Sequence, residues 1–111
     1  MTNATSEAIR SLFAMRRANG DWFALNDHGG FRVPVFHSGS AAMTARMQDT
    51  AMECFRPVVI DEAAFRELTT TDGGKASFWL ISDPLLKLSK GRFLDHRELG
   101  VLLREREGRV V

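Results

Sequence analysis

The sequence predicts an α+β fold, a mostly antiparallel sheet of four to five strands with helices packed on it, in the order α-β-β-α-β-α-β-β-α. Three observations predict it. Residues 21–37 carry two runs rich in β-formers around a loop of Asn26-Asp27-His28-Gly29-Gly30, residue types that tolerate the backbone of a hairpin turn. Ala76 to Ile81 presents large apolar groups on both faces, the pattern of a strand covered on two sides. Two well-marked helix starts, at Asp61 and Asp95, each follow a strand-like run. The 111 residues, 44% of them hydrophobic, suffice for one domain over 1–111 with a single core.

The first element is expected to be a helix from about Ser6 to Ala18. Ile9, Leu12, Phe13 and Met15 recur near helical spacing, Ser6 is a plausible cap, and Asn19-Gly20 supplies a stop. The hairpin follows, Trp22 to Leu25 against Phe31 to Phe36. Placing Phe23 and Leu25 on one face with Val35 and Val33 sets Phe23 opposite Val35 and Leu25 opposite Val33. That register puts Trp22, Ala24, Pro34 and Phe36 together on the other face.

After the turn at His37, Ser38 or Ser40 caps a helix through Gln48, with Ala42, Ala45 and the methionines Met43 and Met47 facing the sheet. Cys54 to Ile60 has strand composition. Pro57 cannot donate to a ladder, so this strand belongs near an edge or begins at Val58. Asp61 then caps a short helix, with Ile60 and Phe65 as a hydrophobic staple and Ala64, Phe65 and Leu68 as its buried stripe. Residues 69–74, three threonines then an aspartate and two glycines, stop it before the central strand at Ala76 to Ile81. Leu85 to Leu88 suits a helical turn or a short strand equally, and Gly91 to Leu94 suits a last strand. The final helix opens with Asp95 and Glu98 as a capping box and Leu94 and Leu99 as its staple. Leu99, Leu102 and Leu103 face inward, and Gly108 ends it.

The run Gly30-Phe31-Arg32-Val33-Pro34-Val35-Phe36-His37-Ser38 before an alanine-rich helix resembles the strand and helix of SseB-like proteins. So does the close formed by Ile81-Ser82-Asp83-Pro84 and Phe93-Leu94-Asp95-His96-Arg97-Glu98-Leu99. The front half, with Trp22 before the turn, also looks like the bacterial family catalogued as domain of unknown function 2750. The resemblance covers about Ile9 to Leu103. It implies a small bacterial α+β domain without an established reaction, and it brings no catalytic residues.

Charge and motifs narrow the function classes. A net charge of +1 supplies no broad positive field, so nucleic acid is not an expected partner. No apolar run approaches a bilayer span, a lone Cys54 excludes an internal disulfide, and the polar start lacks the plan of a secretory signal. A cytoplasmic location is expected. His28, His37 and His96 lack a further ligand at metal spacing, so neither metal nor cofactor is expected. Residues 72–77 lack the first glycine of a phosphate loop, and Cys54 beside Phe55 reads as a buried small apolar residue. The two basic stretches, Arg16-Arg17 and Lys87 to Arg92 with Phe93 nearby, could touch phosphates or an acidic partner but read first as solvated faces, and Met43, Met47 and Met52 read as core filler before an adaptable binding surface.

The reading that follows is a non-enzymatic protein-binding or interaction module, of SseB-like or immunity-like kind. The alternative is a small hydrolase or transferase using Cys54 or a histidine. The hairpin's outer face suggests the interface. Trp22, Pro34 and Phe36 form a patch more apolar than a solvated surface, which predicts a homodimer or a partner-protein site there.

Overall fold

A strand whose two faces are both apolar needs cover on two sides, and the computed structural model, which describes residues 11–27, 30–86 and 88–107, provides it. Strands β1 (Phe13–Arg17), β2 (Leu25–Asp27) and β3 (Gly30–Val35) precede helix α1 (Gly39–Gln48). Then come β4 (Phe55–Val59), α2 (Glu62–Thr70), β5 (Ser77–Ile81), β6 (Gly91–Leu94) and α3 (His96–Glu107), with short 3-10 turns at Thr50–Met52, Thr71–Gly74 and Pro84–Leu86. The α+β class stands.

Four strands form one sheet in the order β2-β3-β5-β6, and β1 pairs with β4 in a second. Every pairing is antiparallel except β3 with β5, so the sheet is mostly antiparallel as expected. Two bridges join the sheets, Phe13 with Phe36 and Arg16 with Trp22. On one side Ala64 and Leu68 of α2 and Leu99 and Leu103 of α3 bury Val33, Val35, Phe78 and Leu80. On the other, Ala42 and Ala45 of α1 join Met15, Phe23, Phe36, Met52 and Ile81. β5 lies between β3 and β6 with Phe78 in the first layer and Ile81 in the second, which makes it the central strand.

The expected first helix is not what the described residues form. Phe13–Arg17 is a strand, and the part of that helix before Ser11 lies outside the described residues. The segment carries two periods at once. Leu12 and Ala14 point to one layer while Phe13 and Met15 point to the other, an alternation hidden by apolar groups on both sides. Pairing with β4 decides between them, and Pro57 sits opposite Met15 on that outer strand, where a missing N–H is tolerated. Gly20 does take a left-handed φ of +96°, but it turns β1 back toward Trp22 instead of ending a helix.

The hairpin forms one residue out of the expected register. Leu25 pairs with Arg32, Asn26 with Phe31 and Asp27 with Gly30. Pro34 explains where that pairing stops. The mutual bonds of Phe36 with Phe13, 2.8 and 2.9 Å, aim the Phe36 backbone away from β5, and by alternation Pro34 faces the same way. A proline there offers β2 no donor. Phe23 N–H donates instead to Met15 O at 2.8 Å, so β1 takes over the edge of β3 where β2 ends.

The caps were legible. Ser38 Oγ accepts from Ala41 N–H at 3.0 Å, and Asp61 Oδ1 accepts from Ala64 N–H at 2.8 Å. Asp95 and Glu98 bond reciprocally, Glu98 N–H to Asp95 Oδ1 at 2.8 Å and Asp95 N–H to Glu98 Oε1 at 3.0 Å. Met47, by contrast, is 81% exposed instead of facing the sheet. It lies two residues past the buried Ala45, roughly 200° around the helix.

Candidate interaction surfaces

The expected apolar patch does not form. Pro34 and Phe36 are fully buried, and Phe36 lies in the layer under α1 while Trp22 packs against the opposite layer under α2 and α3. The shifted register separates them, because a one-residue slip exchanges the faces of every side chain. The face that was to await a partner is covered by the chain itself.

Trp22 instead lines an open cleft of about 870 Å³ around the turn after β1, with Arg16, Arg17, Asp21, Phe31 and Glu67 among its walls. Its indole N–H donates to Glu67 Oε1 at 3.0 Å, and the Arg16 guanidinium lies 4.8 Å from the ring centroid. Arg16 also pairs with Glu67 at 3.0 Å, so hairpin, β1 and α2 are tied at one point. Arg17 pairs with Asp21 at 2.9 Å and lies over Phe55 at 5.4 Å. The hydrogen bond from Arg17, and then that from Asn19, holds the Asp21 carboxyl below its ordinary range. Both arginines of the cleft are therefore committed to acids of the same chain. The cleft is structurally satisfied, with little charge left for a ligand.

Cys54 is exposed, not buried as its neighbour Phe55 suggested, because it falls in the turn just before β4. Along the sheet His37, among the described histidines, is not beside it. Cys54 adjoins Phe55, paired with Arg17, whereas His37 adjoins Phe36, bridged to Phe13 at the other end of β1, about 13 Å away at strand rise. His96 opens α3, with Nε2 2.7 Å from Ala76 O and its ring 5.5 Å from that of Phe78. His28 lies outside the described residues. Among the described residues no group of three His, Cys, Asp or Glu side chains is placed to hold a metal ion. Among the described residues no helix is long and apolar enough to cross a membrane.

The basic stretch ending at Arg92, expected to be a solvated face, runs into β6, the end strand of its sheet. Ser82 N–H donates to Lys90 O at 3.1 Å, which fixes the alternation of the β5–β6 ladder. Lys90, Arg92 and Leu94 turn their backbone groups toward β5, and Gly91 and Phe93 turn theirs outward. The Phe93 ring is 56% exposed, opposite Trp79 in the ladder. Trp79 is pinned in turn: its indole N–H donates to Leu88 O at 2.8 Å, and Arg32 lies 4.7 Å over its ring. Leu88 reaches this position in a left-handed conformation, φ +66°, with its side chain buried. On the opposite face Arg92, Leu94, Arg97, Glu98, Val101 and Leu102 line a groove of about 230 Å³. The signal was present in the sequence as Gly91-Arg92-Phe93, a short strand with a cation and an aromatic at its middle.

No protein-family model, curated protein or solved structure matches this chain.

Proposed function

We propose that this chain is a non-enzymatic protein-interaction module of the bacterial cytoplasm, and that it binds an extended segment of a partner protein along β6. One observation carries the reading: β6 combines outward-facing backbone groups at Gly91 and Phe93 with the half-exposed Phe93 ring. An edge of this kind supplies main-chain hydrogen bonds for affinity and an aromatic anchor for specificity, which is how strand addition recognises peptides. Trp79 and Leu88 hold the underside of the strand fixed, so little ordering opposes binding. The resemblance to SseB-like domains, which have no established reaction, accords with a binding role.

Selection of random peptides displayed on phage tests it, followed by amide-shift mapping of a selected peptide on the labelled protein. The expected result is recovery of extended sequences whose largest shifts fall at Gly91 to Leu94. Largest shifts at Trp22 and Phe31, in the cleft, overturn the assignment to β6.

A further inference from the structure

We infer that the segment added to β6 is acidic, with alternate carboxylates facing Lys90, Arg92 and Arg97. The inference rests on the interaction reading above and names the chemistry of its partner. Lys90 and Arg92 project on one face of the strand by alternation, and Arg97 lines the groove on that same face. All three are exposed, and among the described residues none forms an ion pair. The acid of that groove, Glu98, is already bonded to the Asp95 N–H. This edge therefore sets three cations outside any ion pair against the single groove acid Glu98, a local excess of positive charge in a chain whose net charge is only +1. In the Trp22 cleft, by contrast, Arg16 and Arg17 are neutralised within the fold.

The same geometry selects against a second copy of the chain. Two β6 strands related by a twofold axis must pair through their outward residues, Gly91 and Phe93. Centring the pair on Phe93 would require the Asp95 N–H, which Glu98 already holds. Centring it on Arg92 uses both outward residues, but places Arg92 directly opposite its own copy, a destabilising arrangement of like charges. A partner strand with a carboxylate opposite Arg92 turns that repulsion into an ion pair. Its next residues, on the Phe93 face, are apolar, so the recognised pattern alternates acidic and apolar side chains.

The test uses two fluorescein-labelled peptides, one alternating glutamate with valine and one alternating lysine with valine, titrated against the intact protein by anisotropy. The glutamate peptide should bind more than about tenfold tighter than the lysine peptide, with an affinity that falls as salt is raised. Arg92→Glu should reverse the preference. Phe93→Pro, which removes one outward N–H at an edge position where proline is tolerated, should weaken binding by about tenfold or more at an unchanged melting temperature. Equal affinity for the two peptides, with Phe93→Pro still weakening both, overturns the acidic partner and leaves the interaction reading standing. Undiminished glutamate-peptide binding by Phe93→Pro, or no binding of either peptide, overturns strand addition itself. A dimeric mass in light scattering that Phe93→Pro returns to monomer assigns the edge to a second copy and overturns the inference.

Discussion

The Trp22 indole N–H and the Glu67 carboxylate meet at 3.0 Å, joining the segment after β1 to helix α2 across 45 residues of sequence. Glu67 also holds Arg16, whose guanidinium covers the Trp22 ring, so removing the carboxylate frees two groups at once. All three remain partly in water. Glu67→Ala should cost about 0.5 to 1 kcal/mol, within the range of partly exposed ion pairs. The Trp22 contribution to fluorescence should shift to longer wavelength, checked in a Trp79→Phe background. An unchanged spectrum would mean that Glu67 does not hold the indole in solution.

Phe78 is fully buried on the central strand β5, between Val33 of β3 and Leu94 of β6. Phe78→Ala should cost about 3 to 5 kcal/mol, since few neighbours on a central strand can collapse into the space. For a domain of this size that is a large fraction of total stability. Urea denaturation measures it, and a midpoint near the parent's would contradict the placement of Phe78.

How much of this was legible in the sequence depended on how local each determinant is. Asp61, Ser38 and the Asp95–Glu98 pair act over three residues, and all of these caps form as their spacing predicts. β5 was legible because Phe78, Trp79, Leu80 and Ile81 leave no polar face. β1 was not, because Phe13 to Met15 satisfies helical and strand periods alike and only β4, some forty residues later, decides between them. The hairpin register failed for a related reason: Pro34 cannot donate to β2, and β1, itself unrecognised, occupies the place where Phe23 was expected to pair. The patch of Trp22, Pro34 and Phe36 fell with that register. At β6 the cation and aromatic of Gly91-Arg92-Phe93 were legible, whereas the outward direction of the Gly91 and Phe93 backbone groups follows from the pairing with β5, which no composition pattern discloses.

The reciprocal bonds of Asp95 and Glu98 make the start of α3 a closed unit, with Leu94 and Leu99 buried on either side of it. Asp95→Ala should cost about 1 kcal/mol through the orphaned Glu98 N–H. Peptide binding at β6 should be unaffected, because the Asp95 side chain faces its own helix. Chemical denaturation and anisotropy on the same sample check both statements.

Asp21 gives a pH prediction with a definite sign. Its pKa is lowered by hydrogen bonds from Arg17 and then Asn19, so the ionised carboxylate is the form that the fold favours. The stabilisation is present above the unfolded-state pKa and is lost as pH falls through the lower folded value. The Asp21 carboxyl should titrate by carbon-detected NMR below an aspartate in a short peptide, and Arg17→Gln should move it back up. An Asp21 midpoint that ignores Arg17→Gln would separate the pair in solution.

Gly91 combines a packing constraint with the surface proposed to bind. A Cβ built there would lie 2.7 Å from Leu80 O and 2.8 Å from Trp79 Cε2, one a backbone atom of the central strand and the other a ring edge. Neither yields easily: the carbonyl belongs to the β5 backbone, and the indole is held by Leu88 O at 2.8 Å. Gly91→Ala should therefore cost about 1 to 3 kcal/mol, in the range of overpacking, although alanine is ordinarily the better strand residue. Relief at the ring requires Trp79 to leave its bond with Leu88, which releases Leu88 from the underside of β6. Amide exchange should then quicken at Arg92 and Leu94, whose N–H groups face β5, while exchange at Val33 and Val35 in β3 stays slow. Gly91→Ala with parental stability and unchanged exchange would mean that the ring and the strand are not in contact, and with it the rigid underside argued for the binding edge would be lost.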